Sequence, residues 1–354
     1  MTAIFGALSL GLSITGALYL QLPTFFLVLG HGWSHQYPMK RWIFRILAFA
    51  AFLLFIGTHP PLWVLLSVGI PSVFFWVFSL FNANPNLFVA LSESQIIKQK
   101  SRVYPDGTQV VGYTDDGGMS ICYPVEEMVM PRHILNDTFN GKPLLVSFCA
   151  ACRSTMLYHP VVDGQRLTFE VLGVHRRNMI IRDLQTGTVW QQGTGEGMFG
   201  KLKGRRLDFH CYQQTTLEDW IKQNPDMFIA KEGDGIRKGL VPKKRLLKVL
   251  EKVTGKFIAP GRAKLAGLPL REKVWGLELD GRSKAYPISE LKKETTITDK
   301  LGNVEITIHY NPLTNQMEGV ITATRDRLNF QNHWWFGWKE FHPGTEIWRS
   351  ENAG

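Results

Sequence analysis

One fourteen-residue pattern occurs twice in the chain, and this self-match constrains the fold more than any other feature. Residues 111–124 and 274–287 both alternate apolar with polar residues, turn at Gly118 or Gly281, and close on Tyr-Pro. Each copy predicts a β-hairpin, because alternating residues face opposite sides of a strand and the proline ends it. Two copies predict a pair of related lobes, since a solenoid needs three or more units.

The agreement between the copies continues past the hairpins. Each hairpin is followed by a short helical segment, a turn led by aspartate and an apolar strand, and both copies end in a Trp…Pro segment. The sequence therefore predicts an α+β, mostly β fold with a first lobe at 107–230, a basic linker at 231–273 and a second, degenerate lobe at 274–354.

The N-terminal part has a different composition. The first 92 residues contain no Asp or Glu and only three basic residues. Three apolar runs cover about 3–29, 42–59 and 61–81. A membrane span needs about 20 residues, so we predict about three transmembrane helices within 1–86 and a linker at 87–106. The alternative is one anchor followed by a re-entrant hairpin, because only residues 58–61 separate the second and third runs.

Basic residues near the predicted helix ends suggest an orientation. With three spans they fall on one face: Lys40, Arg41, Arg45, Lys98, Lys100 and Arg102. The positive-inside rule then places a multi-pass protein in the cell membrane with its large C-terminal domain in the cytoplasm.

A pair of cysteines marks the candidate site. Cys149-Ala-Ala-Cys152 lies between two apolar, strand-like runs, and thiols at this spacing can bind one metal ion or each other. The matching strand of the second copy ends in residues 309–314, which contain no cysteine. The pair is therefore not needed to build the lobe, which favours a function.

Three interpretations of the pair stay open. Metal binding would need further ligands, and soft donors would favour zinc or copper. The candidates for those ligands are Glu196, His210, Cys211, His175, Met179 and Met198. A redox-active dithiol is the second interpretation, with Arg153 lowering the thiol pKa. Buried structural cysteines or an inert disulfide are the third.

The remaining candidates each have an ordinary alternative. Glu196 lies in a glycine-rich loop, where it could be a ligand, a general base or a solvated side chain. Cys122 is predicted to be a small core residue. The four cysteines in a chain of this length fit either a reduced or an oxidising compartment.

The basic excess is concentrated in residues 237–273, which carry twelve basic and two acidic residues. Residues 241–258 predict a basic amphipathic helix that either lies on anionic lipid or packs across the two lobes. No nucleic-acid partner is predicted, because the segment has neither a zinc-finger nor an RNP pattern.

Several ordered motifs resemble one known family. They are the Tyr-Pro hairpin with its Asn136-Asp137 turn, the strand ending SFCAAC, residues 162–169, 183–190 and 194–196, and the Trp…Pro endings. Over about 112–348 the chain resembles the domain of unknown function 3179 family. The resemblance implies a shared fold and no particular reaction. Relatives with export signals imply an extracytoplasmic domain, contrary to the charge rule.

Two hypotheses about function follow. The first is a membrane-anchored protein that binds a metal or carries out thiol redox chemistry through Cys149 and Cys152. The second is a non-catalytic binding or structural module that uses the cleft between the predicted lobes. Whether the protein is an enzyme is left open by the sequence.

Overall fold

The structure is a computed structural model that describes residues 1–18, 37–81, 89–98, 104–125, 132–149, 153–175, 178–231, 252 and 264–350. The described chain is helical up to Phe81 and β-rich from Val89 onward. Its N-terminal helices are α1 (Thr2–Leu18), α2 (Tyr37–Gly57), α3 (Leu62–Val64) and, after a π-helical turn at Leu65–Gly69, α4 (Ile70–Phe81).

The prediction of two lobes behind about three transmembrane helices is wrong. No helix in the described ranges is long and apolar enough to cross a membrane. Helix α1 has 17 residues, and α2 includes Lys40, Arg41 and Arg45. The π-helical turn divides the third apolar run into helices of 3 and 12 residues.

The β-rich part begins inside the predicted linker. Its first sixteen strands are β1 (Val89–Ser92), β2 (Gln95–Lys98), β3 (Gln109–Thr114), β4 (Ser120–Pro124), β5 (Arg132–Phe139), β6 (Lys142–Cys149), β7 (Ser154–His159), β8 (Val161–Val162), β9 (Gln165–Arg166), β10 (Phe169–His175), β11 (Asn178–Asp183), β12 (Val189–Gln191), β13 (Gly197–Phe199), β14 (Asp208–Phe209), β15 (Gln213–Thr216) and β16 (Phe228–Lys231). Helix α5 (Leu217–Gln223) lies between β15 and β16.

The C-terminal part adds nine strands and two short helices. The strands are β17 (Lys264–Leu265), β18 (Leu268–Pro269), β19 (Lys273–Leu279), β20 (Arg282–Pro287), β21 (Thr296–Leu301), β22 (Val304–Asn311), β23 (Gln316–Ile321), β24 (Phe330–Trp334) and β25 (Glu346–Ile347). The helices are α6 (Ile288–Leu291) and α7 (Trp335–Phe341).

These strands form five larger sheets rather than two lobes. We name them the cysteine sheet (β1-β5-β6-β7-β14), the meander (β10-β11-β12-β13), the Trp220 sheet (β15-β3-β4-β16-β2), the Trp338 sheet (β24-β19-β20-β25) and the small sheet (β21-β22-β23). Strand pairs β8-β9 and β17-β18 stand apart. The mostly β fold is arranged as a five-bladed β-propeller.

Both predicted hairpins are confirmed. Strands β3 and β4 pair antiparallel, as do β19 and β20. Each hairpin gains an antiparallel strand on one side and a parallel strand on the other, and a helix lies between those two added strands in the sequence. The two copies of the repeated sequence pattern therefore form the same arrangement of strands.

The basic segment falls largely outside the described residues. Of residues 237–273, only Lys252 and the stretch from Lys264 onward are described. The amphipathic helix expected at 241–258, its lipid contact and the linker role of 231–273 therefore stay predictions.

Candidate functional site

The hairpin formed by β6 and β7 positions the first cysteine of the pair. The two strands are antiparallel, and Cys149 at the end of β6 lies opposite Ser154 at the start of β7. Cys149 is buried, with 2% of its surface exposed. Cys152 and the two alanines before it lie outside the described residues.

Arg153 begins the return of the chain into β7. Its φ is 57°, a left-handed backbone conformation that is uncommon for a residue with a side chain. The guanidinium carbon lies 6.0 Å from the centroid of the Phe148 ring. A positive charge therefore lies directly before β7, next to the Phe148 ring on β6.

A network of buried, uncharged polar side chains lies behind this hairpin. The amide oxygen of Gln192 accepts from Ser154 Oγ at 3.1 Å and from Asn178 Nδ2 at 3.1 Å. Gln192 Nε2 donates to Ser147 Oγ at 3.1 Å. Gln191 Nε2 donates to Asn178 Oδ1 at 2.9 Å. All five residues are at most 5% exposed, so every bond is made away from water.

This network fastens the cysteine sheet to the meander. Ser147 and Ser154 belong to β6 and β7, whereas Asn178 and Gln191 belong to β11 and β12. Sequence reasoning did not predict this network. The available signal was the adjacent pair Gln191-Gln192 at a strand end. Successive side chains of a strand face opposite sides of the sheet, so one of two adjacent glutamines faces the buried side.

Tyr158 extends the network along β7. Its hydroxyl donates to the backbone oxygen of Gln192 at 2.9 Å, and complete burial raises its pKa. Gly195 lies against this ring, so a Cβ there would be 2.9 Å from Tyr158 Cε1, and its φ is 68°. Only glycine meets both conditions without strain, which explains the glycine at position 195.

The further ligand candidates do not form a metal-binding group among the described residues. Glu196 is exposed, and its backbone pairs with that of Arg206 in a single antiparallel β-bridge. The side chain of Arg206 forms an ion pair with Glu278, with 3.0 Å between Nη1 and Oε1. Met179 is a buried member of the core that also contains Cys149. The described part of the chain contains no group of three His, Cys, Asp or Glu side chains able to hold a metal ion.

His210 has an aromatic environment. Its ring centroid is 5.2 Å from that of Tyr113 and 5.8 Å from that of His159. Burial lowers its pKa, and the neighbouring His159 lowers it further. The imidazole of His210 is thus held toward its neutral form.

The other two cysteines differ from each other. Cys211 is exposed, and its thiol donates to Asn329 Oδ1. Partial burial raises its pKa, although Arg327 opposes that shift. Cys122 is fully buried, and burial raises its pKa strongly. The prediction that Cys122 is a core residue is confirmed.

Comparison with known proteins gives a family and no relative of known activity. The sequence model of the family described as protein of unknown function (DUF3179) matches residues 69–246, about half of the chain. No curated protein and no solved structure matches. The match includes the cysteine sheet, the meander and the Trp220 sheet, and ends before the Trp338 sheet. The chain therefore belongs to the DUF3179 family.

Proposed function

We propose that Cys149 and Cys152 form a redox-active dithiol that exchanges with an external disulfide. The observation that carries the proposal is the pairing of Cys149 with Ser154. Opposed residues of antiparallel strands are about 5 Å apart at Cα, and two residues of chain span at most about 7 Å. Cys152 is two residues from Ser154, so chain connectivity keeps its Cα within about 12 Å of that of Cys149. A disulfide needs the two Cα atoms about 4.4–6.8 Å apart, which lies inside that limit.

The exchange balances as follows. The Cys152 thiolate, next to the Arg153 guanidinium that favours it, attacks one sulfur of the external disulfide, and one external thiolate leaves. The Cys149 thiolate then attacks the Cys152 sulfur of the mixed disulfide and releases the second external thiolate. The external disulfide is reduced to two thiols, and the protein dithiol is oxidised to a disulfide.

A dithiol requires only these two side chains, whereas a closed zinc site needs four ligands. Zinc or copper binding by Cys149 and Cys152 would have to recruit residues such as Glu196, His210 or Cys211. The Cys211 thiol already donates to Asn329 Oδ1, and the His210 ring lies beside that of Tyr113, which favours the redox proposal over the metal proposal.

The test is to count thiols in glutathione buffers of graded redox potential. We expect the full-length protein to lose two reactive thiols together, with a midpoint above about −300 mV, the upper limit typical of structural disulfides. The Cys149→Ser/Cys152→Ser variant should show no such step.

Cys211→Ser is the matched control, because it removes an exposed thiol elsewhere and should leave the two-thiol step intact. Two thiols that never pair would contradict the proposal. So would one metal ion per chain that disappears in the double variant.

We also propose that the helical N-terminal segment contacts a lipid bilayer. Of the 22 exposed large hydrophobic side chains in the described residues, 18 lie between Met1 and Val77. Trp63 is 72% exposed and Phe74 is 60% exposed. Contiguous exposed apolar surface of this kind is typical of a partner or membrane contact, and the segment has no acidic residue that lipid would repel.

Flotation of the full-length chain with phosphatidylcholine vesicles measures this contact. Trp63→Lys/Phe74→Lys should weaken the partition into vesicles by about tenfold or more, because two large apolar side chains are lost from the contact. Leu313→Lys changes a side chain that is 94% exposed in the C-terminal part and should have no effect. Equal flotation of all three proteins would refute lipid contact by this segment.

A further inference from the structure

A cavity separate from the cysteine site opens between the Trp220 sheet and the small sheet. Its volume is about 400 Å³, within the range of about 300–1,000 Å³ that small-molecule sites occupy. Residues from β3, β15 and α5 line one side, and residues from β23 and the segment leading into β24 line the other.

The deep wall of the cavity is aromatic. Tyr212, Trp220 and Phe330 line it, and each is at most 8% exposed. Their rings are therefore packed in place before any ligand arrives. Such a wall suits a rigid ligand with one apolar face.

The rim of the cavity is polar and joins the two sheets. Gln213 Nε2 on β15 donates to Glu318 Oε1 on β23 at 2.7 Å. Gln223 and Thr114 add an amide and a hydroxyl, and both are exposed at the cavity. Amides and hydroxyls each offer a donor and an acceptor, which is what a ligand with several hydroxyl groups requires.

The charges of the rim are balanced. Glu318 supplies one negative charge and Arg327 one positive charge, and both side chains are exposed. Glu318 would repel an anionic ligand, and Arg327 would repel a cationic one. The pair therefore favours a ligand without net charge, because like charges at close range are destabilising.

We propose that this cavity binds a neutral sugar. A sugar ring combines a C–H face for the aromatic wall with hydroxyl groups for the mixed donors and acceptors of the rim. Glu318, held by Gln213, is the residue expected to accept hydrogen bonds from those hydroxyl groups.

Alkylation of Cys211 reports occupancy, because this exposed thiol lines the same cavity. The rate is followed by mass spectrometry in the full-length protein with glucose, N-acetylglucosamine or maltose, and with glucuronate and glucosamine as charged probes. We expect at least one neutral sugar to slow alkylation and the charged probes to protect more weakly.

Glu318→Gln keeps the side-chain shape and should weaken sugar protection by about tenfold, since a hydrogen bond to a charged group is lost. Glu305→Gln, an exposed carboxylate on β22, is the matched control and should change nothing. Gln223→Trp places a bulky side chain at the cavity and should abolish protection.

Three results would overturn the proposal. They are no protection by any neutral sugar, stronger protection by a charged probe, and unchanged protection in a folded Glu318→Gln variant. The Cys149/Cys152 redox step is measured separately, so failure here and failure of the dithiol proposal are distinguishable.

Discussion

Replacing Gln192 with leucine is expected to lower the free energy of unfolding by about 3–5 kcal/mol, because three buried hydrogen bonds are lost together. The side chain accepts from Ser154 and Asn178 and donates to Ser147. Each of those partners is fully buried and cannot turn to water instead. A leucine fills similar volume, so the loss measures the polar bonds rather than an empty space.

Urea denaturation followed by tryptophan fluorescence measures the change. Gln165→Leu makes the same chemical substitution at an exposed position on β9 and should stay within about 0.5 kcal/mol of the parent. A Gln192→Leu variant as stable as Gln165→Leu would mean that the network does not stabilise the fold.

The same variant tests whether the network supports the cysteine site. Gln192 holds Ser147 and Ser154, and Ser154 is the residue opposite Cys149. Loosening the hairpin should speed alkylation of the buried Cys149 thiol, because a buried thiol reacts only when the structure around it opens locally. An unchanged rate would separate the network from the site.

Local patterns predicted the parts of this fold that local interactions determine. The hairpin at 111–124 follows from alternation and a turn glycine. Helix α5 likewise begins at a residue typical of a helix N-cap, because Thr216 Oγ1 accepts from the Asp219 backbone nitrogen at 3.2 Å. Both depend on residues within a few positions of one another in the chain.

Features built from distant residues could not be predicted in this way. Strand β1 pairs in parallel with β5, more than forty residues later, and lies in a stretch expected to be a linker. The Gln192–Ser147 bond likewise joins residues 45 positions apart. No periodicity encodes such contacts, because each depends on how separately formed strands are brought together.

The apolar N-terminal runs show a different limit. Hydropathy indicates which residues avoid water and does not locate helix interruptions. The π-helical turn at Leu65–Gly69 interrupts the third apolar run, and the basic residues of α2 shorten its uncharged stretch. The cysteine pair shows a third limit, because a motif gives a position without a reaction.

One contact, present in both the Trp220 and Trp338 sheets, explains why each hairpin carries a glycine mid-strand. A Cβ added to Gly112 would lie 2.4 Å from Trp220 Cε3, and one added to Gly276 would lie 2.4 Å from Trp338 Cε3. Both tryptophan rings are at most 2% exposed. Neither glycine can therefore be replaced unless the ring moves.

Trp220→Ala is expected to lower the free energy of unfolding by about 3–5 kcal/mol, as removal of a buried aromatic side chain does. Gly112→Ala should cost about 1–3 kcal/mol through overpacking. In the Trp220→Ala background the same glycine substitution should cost almost nothing, because the ring that it clashes with is absent. Gly107→Ala, with no atom within 4 Å of the added Cβ, is the matched control.

The Trp338 sheet supplies an internal comparison for this cycle. Trp338 Nε1 donates to Thr345 Oγ1 at 2.9 Å, whereas Trp220 Nε1 has no hydrogen-bond partner among the described residues. Trp338→Ala should therefore cost about 1 kcal/mol more than Trp220→Ala. Denaturation of Gly112→Ala, Trp220→Ala, Gly276→Ala, Trp338→Ala and the two double mutants, one for each sheet, measures both coupling energies. If Gly112→Ala stays equally costly without Trp220, the glycine is required for a reason other than the ring. The repeated pattern would then lack a shared structural cause.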